Sequence, residues 1–206
     1  IICSVVVSIC CREESIDPFT DDYTKINNTD SVDGNKIDRT KKAPIYLAEN
    51  GVTIKASDNA VIGESYELGE FSYVVVDSVI LYEMVLNDED MKCIVTTSIT
   101  NLSYINFASR SFPYFNQDIS SWDLSNVTNT SHMFYLTDGF NQDISFWNVT
   151  NVTNMNSMFS GAKSFNQDIN SWDVSNVSDC GDFSRDAIAW IKSKPNFINC
   201  SVDDLD

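Results

Sequence analysis

Apolar residues recur along the second half of the chain at a fixed spacing. Phe115, Phe140 and Phe165 each head a copy of the string Phe-Asn-Gln-Asp-Ile. Trp122, Trp147 and Trp172 follow at one offset and Val127, Val152 and Val177 at another, without slippage. A constant period of about 25 residues predicts a solenoid, in which each repeat buries its apolar face only against its neighbours. Two shorter spacings alternate inside a repeat. Ile119, Trp122 and Leu124 have the spacing of a short strand and its approach, and Ser125-Asn126 then offers a cap. Val152, Met155, Met158 and Phe159 fall at i, i+3, i+6 and i+7, which predicts a helical turn. Each coil is therefore expected to be a short strand, a cap and one or two helical turns, with the strands stacked into a parallel ribbon.

Upstream the pattern changes. Ile99-Thr100-Asn101-Leu102 mirrors Val152-Thr153-Asn154-Met155, but the step from Ile99 to Val127 exceeds the period. About three residues are thus inserted around Ser109 to Tyr114, as suits an atypical terminal coil. Before it, Ile45-Tyr46-Leu47 and Val52-Thr53-Ile54-Lys55 flank the turn dipeptide Asn50-Gly51. Tyr66 to Leu68 and Phe71 to Val76 flank Gly69-Glu70, a second predicted hairpin. Asp77-Ser78 can cap a helix carrying Ile80, Leu81, Met84 and Val85 on one face and ending at Asn87-Asp88. The expected fold class is α/β. It comprises a short leucine-rich-repeat-like solenoid of three to four coils, a small N-terminal α/β cap and a disulfide-closed C-terminal cap. The boundaries are 1–11 for a signal-peptide remnant and lipoprotein site, 12–42 for a disordered tether, and 43–92 for the N-terminal cap. A degenerate first coil covers 93–114, the repeat solenoid 115–184, and the C-terminal cap and tail 185–206.

Composition narrows the functional classes. The 206 residues carry a formal charge of -17, which argues against nucleic acid, whose phosphates would be repelled. Acidity of this size fits an exposed, soluble surface, with cation binding as the other reading. Ile1 to Cys11 is apolar and too short to span a bilayer. It reads as the end of a signal peptide's hydrophobic region. The run stops at Cys10-Cys11, followed by Arg12-Glu13-Glu14-Ser15, which resembles a bacterial lipoprotein processing site. Cys11 fits lipidation better than Cys10, because it follows the smaller residue. An ordinary secretory signal is the alternative, and both export the chain. Residues 12–42 are polar and broken, and read as a tether from a membrane anchor. The six cysteines show no CxxC spacing and there is one His, so a structural zinc site is not expected. Export permits a disulfide. Cys180 and Cys200 are the expected pair, closing a loop worth about 3 kcal/mol. Cys93 is then expected to be a buried free thiol.

Stacking places equivalent residues in rows. Asp118, Asp143 and Asp168 form one row, with carboxylates about 5 Å apart, and Asn116, Asn141 and Asn166 form another. Calcium binding, at most weak, or acid–base chemistry is one reading of the Asp row. The other is that short polar side chains satisfy the backbone of tight loops. The second is favoured, because a residue repeated in every coil lacks the asymmetry of a catalytic site. Trp122, Trp147 and Trp172 read as core, with a sugar-stacking ladder as the alternative. His132 reads as a variable surface residue, because Ser157 holds its place one repeat on. No cofactor and no catalytic residue is expected.

With these residues laid out, the chain resembles the BspA-like bacterial surface lipoproteins, which share their short repeat with Mycoplasma-type lipoproteins. The resemblance rests on Phe115 to Phe134, Phe140 to Phe159 and the copy opening at Phe165. It extends to Pro44 through Ala56, to Tyr73 through Asp77, and to the ending from Cys180 to Cys200. Two departures stand out: Thr130 occupies the place of Met155, and Cys180 takes it in the last copy. The resemblance implies cell-surface or outer-membrane exposure and adhesion to extracellular proteins or glycans, without catalysis. Strand alternation points Asp123, Asn148 and Asp173 outward as ligand-face candidates. A self-associating envelope or matrix component is the alternative function, and a hydrolase built on the Asp row a more remote one.

Overall fold

The computed structural model describes residues 42–105 and 114–202. The expected lipidation site at Cys11 or Cys10, the tether up to residue 41 and the insertion before Tyr114 lie outside the described residues.

Two antiparallel hairpins open the described chain. Strand β1 (Ile45–Leu47) pairs with β2 (Ile54–Ala56), with Ile45 opposite Ala56. Their connection is held by Asn50, whose Oδ1 accepts from the N–H groups of Val52 and Thr53 at 3.1 and 3.0 Å. Strand β3 (Ser65–Leu68) pairs with β4 (Phe71–Val75) across Gly69-Glu70. Gly69 has a φ of 65°, a conformation that glycine reaches without a Cβ penalty. Helix α1 (Ser78–Asn87) follows. The Asp77 side chain accepts from Val79 N and Ile80 N at 3.0 and 2.9 Å, satisfying two amides that have no partner within the helix. Asp88, left-handed at φ 55°, closes the other end by donating to Met84 and Val85 carbonyls. The helix returns the chain to β5 (Ile94–Val95), parallel to β4, with Val74 opposite Ile94.

From Tyr114 to Val202 the described residues contain neither an α-helix nor a strand longer than an isolated bridge. The expected helical turn at Val152 to Phe159 and the expected strand at Ile119 to Leu124 are both corrected. A helix would send every N–H to the carbonyl four residues back. Here the amides alternate between two directions. Thr130, His132, Phe134 and Leu136 donate to Asn154, Asn156, Met158 and Ser160 of the following repeat, at 2.8–3.0 Å. Met133, Tyr135 and Thr137 instead donate three residues back, to Thr130, His132 and Phe134. One repeat on, Met155, Ser157, Phe159 and Gly161 donate to Asp179, Gly181, Phe183 and Arg185. Left-handed residues occur at matching places, His132 and Leu136, Ser157 and Gly161, Asp182 and Asp186. The parallel bridges run Asn101–Asn129–Asn154–Asp179, so the strand-like column lies beyond Val127, not before it. The Thr128 hydroxyl reaches the Thr100 carbonyl 28 residues back, and the Thr153 hydroxyl reaches Thr128 25 residues back. The longer first step is therefore present in the structure.

Apolar burial follows the same order. One core cluster extends from Val76 and the α1 residues Leu81, Met84 and Val85 through the repeats to Trp190. Phe115, Phe140 and Phe165 stack at 5.9 and 5.8 Å, and Trp122, Trp147 and Trp172 at 6.5 and 6.2 Å. These spacings suit offset aromatic stacking. A smaller cluster, Ile45, Ile54, Val75 and Val95, joins the two hairpins. The disulfide between Cys180 and Cys200 is formed, with its Cα atoms 5.9 Å apart. Cys93 is also disulfide-bonded, which corrects the expectation of a free thiol.

Candidate functional site

Most polar side chains in the repeats bond to backbone. Asn141 N donates to Asn116 Oδ1 at 2.8 Å and Asn166 N to Asn141 Oδ1 at 2.9 Å. Asn166 Oδ1 ends this row by accepting from Ile191 N and Lys192 N. Asn126, Asn151, Asn176 and Asn199 each donate through Nδ2 to a carbonyl of the preceding layer, at 2.6–2.9 Å. The indole N–H groups of Trp122, Trp147 and Trp172 donate to the Met91, Ile119 and Ile144 carbonyls. In the acid row, Asp118, Asp143 and Asp168 each accept from the amide two residues ahead. These are local turns of the kind short carboxylates stabilise. Among the described residues no three His, Cys, Asp or Glu side chains come together as a metal-holding group.

The three ligand-face candidates part company. Asn148 and Asp173 are exposed, each accepting from the amide two residues on. Asp123 is buried and does not face outward, which corrects its assignment. Its backbone and carboxylate engage the hydroxyls of Thr96 and Thr97, and Lys55 Nζ lies 3.3 Å from Oδ1. The cause is long-range. The β1–β2 hairpin folds over the first repeat, with Ile54 N donating to the Ser121 carbonyl at 2.9 Å. Asp173, with no such cover, has its carboxyl held below the usual range by the Ser175 hydroxyl and, second, by the Ser175 amide.

A second surface lies on the hydrogen-bonded ladder. The rings of Tyr104 and His132 stack at 4.2 Å with 14° between planes, and Tyr135 meets His132 edge-on at 5.4 Å. Tyr104 is 63% exposed and Tyr135 41%. Tyr104 Oη lies 3.4 Å from His132 Nε2. His132 Nδ1 is buried without a hydrogen-bond partner among the described residues. Burial pushes the imidazole pKa below its ordinary value, opposed by the negative charge of Asp179. Next to this platform, Asn154 and Asn156 donate to the two carboxylate oxygens of Asp179 at 3.2 and 3.3 Å. The sequence marked His132 only as variable. No local signal indicated that it would meet Tyr104 from the neighbouring coil.

The family model of a Mycoplasma protein of unknown function, DUF285, matches residues 79–196. The chain belongs to that family. No curated protein and no solved structure matches it. The DUF285 match begins inside α1 and takes in the polar rows except Asn199, the aromatic platform and Asp173. The β1–β2 hairpin that covers Asp123 lies ahead of the DUF285 segment.

Proposed function

We propose that this protein is a non-catalytic binding module, exported and lipid-anchored through Cys11 (or Cys10), whose repeats form a short leucine-rich-repeat-like solenoid. Its ligand is an extracellular protein or glycan, held on the rigid ladder face. The observation that carries the reading is the platform of Tyr104, His132 and Tyr135, in which two tyrosines stand exposed on a hydrogen-bonded scaffold. Exposed tyrosines on a rigid support supply large contact area with one polar tip each, as binding surfaces do. Against an enzyme stands the use of the Asp row, whose carboxylates accept from their own turns.

The test is a screen of the full chain, displayed multivalently because a short array binds weakly as a monomer, against glycan and extracellular-protein arrays. Tyr104→Ser/Tyr135→Ser is the comparison. Hits that disappear in the variant support the platform, and hits that persist move the site elsewhere on the module. Silence from a folded, multivalent protein on both arrays refutes the binding reading. A self-associating structural component is the second reading. It is favoured by Ile188 and Ile191, which are 79% and 88% exposed near the end of the stack. Concentration-dependent light scattering distinguishes it. Lipid anchoring is tested by metabolic labelling of the wild type against Cys11→Ala and Cys10→Ala.

A further inference from the structure

The protein contains a worked example of what its own repeat surface accepts. On the first repeat, β2 lies against the turn that carries Ser121, Asp123 and Ser125. Ile54 N donates to the Ser121 carbonyl at 2.9 Å. Lys55 Nζ reaches Ser125 Oγ at 3.0 Å and Asp123 Oδ1 at 3.3 Å. One extended segment therefore supplies a backbone donor and, at the next residue, an ammonium group. On the second repeat Asn50 Nδ2 of the hairpin donates to the Phe146 carbonyl at 3.5 Å, and no other hydrogen bond joins the two among the described residues. The acid is replaced there by neutral Asn148.

The third repeat restores the full set. Ser171, Asp173 and Ser175 stand where Ser121, Asp123 and Ser125 stand, two repeats on. All three are exposed. Among the described residues nothing donates to the Ser171 carbonyl, and the hydrogen bonds to the Asp173 carboxylate come from Ser175 alone. Of the Thr96 and Thr97 hydroxyls that also clamp Asp123, the first is replaced there by Val149, and Thr150, which holds the place of Thr97, makes no hydrogen bond to Asp173 among the described residues. We propose that Ser171, Asp173 and Ser175 form a docking site for an extended, lysine-bearing segment of a partner protein, seated as β2 is seated on the first repeat. The net charge of -17 favours approach of a cationic segment. The chain's own Lys55 segment is already engaged on the first repeat, so a second copy is not the expected occupant. This inference rests on the binding-module reading and gives it a partner class and a second surface.

The probe is a synthetic peptide of residues 52–57, capped at both ends and displayed in many copies on a soluble polymer, titrated against the full chain. Wild type and Glu83→Gln, an exposed change on α1, are expected to bind it equally. Asp173→Asn in the protein, or Gln in place of Lys in the peptide, is expected to weaken binding about fivefold, the scale of one exposed ion pair. Rising salt should weaken the wild type toward the variant. No binding of the lysine peptide, or binding indifferent to Asp173→Asn, overturns the proposal. If the arrays yield ligands while this peptide does not bind, only the present inference falls. If both are silent, the binding-module reading falls with it.

Discussion

Replacing Trp147 probes the stacked core at its centre. The indole is 3% exposed and lies between Trp122 and Trp172, 6.5 and 6.2 Å away. Its Nε1 donates to the Ile119 carbonyl at 3.2 Å. That carbonyl also accepts from Trp122 N, so Trp147→Phe does not leave it orphaned. The hydrogen-bond loss is then the ordinary net value, about 1 kcal/mol, not the larger penalty of a stranded group. The smaller ring adds a partial cavity, about 1 kcal/mol more. Trp147→Ala removes the ring and its three stacking contacts, with Trp122, Trp172 and Phe134, and falls at the upper end of about 3–5 kcal/mol. Against a total stability of about 5–15 kcal/mol, the alanine variant should be close to unfolding. Urea titration followed in parallel by tryptophan fluorescence and near-ultraviolet circular dichroism gives both values, provided the denaturant slope is unchanged. A Trp147→Ala cost below about 1.5 kcal/mol would refute the placement of this ring between its neighbours.

Gly161→Ala tests the left-handed column. An added Cβ meets Leu136 Cδ2 at 2.5 Å, at a φ of 72°. Leu136 and Asp186 hold equivalent left-handed positions, but an alanine at Gly161 carries left-handed backbone strain as well as the contact with Leu136. The expected loss is about 1–2 kcal/mol, partly recovered in Leu136→Ala/Gly161→Ala and measured as a double-mutant cycle. His132 makes stability depend on pH. Because its folded pKa lies below the ordinary value of 6.5, the unfolded chain binds the proton first. Stability should be full above about 6.5 and fall as pH drops through the folded pKa; this fall should shrink in His132→Gln, read as melting temperature against pH. Cys180→Ala/Cys200→Ala should cost about 3 kcal/mol, read by urea titration, because the closed loop spans a sequence separation of 20.

Much of this architecture is legible in the chain because its physical causes are local or periodic. Asp77 before an apolar helical face and Gly69 between two short runs carrying aromatic and aliphatic residues act over a few residues, and both elements form where those residues stand. The Phe and Trp rows are legible because repetition places like beside like. The spacing of Val152, Met155, Met158 and Phe159 misled for a definite reason. Turns bonded three residues back bury the same positions as a helical turn, and the left-handed residues that distinguish them include His132, Leu136 and Ser157. Leu136 and Ser157 are not of the types that favour such a conformation, whereas His132, Gly161, Asp182 and Asp186 in the same columns are. Strand alternation likewise exposed Asp123 on paper. Asp123 is buried by contacts far upstream in the sequence, the Thr96 and Thr97 hydroxyls and the return of Lys55 across the first repeat. The Tyr104–His132 platform was hidden for the same reason, since neither residue belongs to the repeat's regular motif.

Residue-resolved amide hydrogen exchange in the full chain shows whether the repeats are one hydrogen-bonded stack able to present a rigid face. The amides of Thr130, His132, Phe134 and Leu136, and of Met155, Ser157, Phe159 and Gly161, are expected to be strongly protected. They should open together, although they lie outside any helix or named strand. Rapid exchange at these amides, with protection confined to β3, β4, β5 and α1, would contradict a single stack.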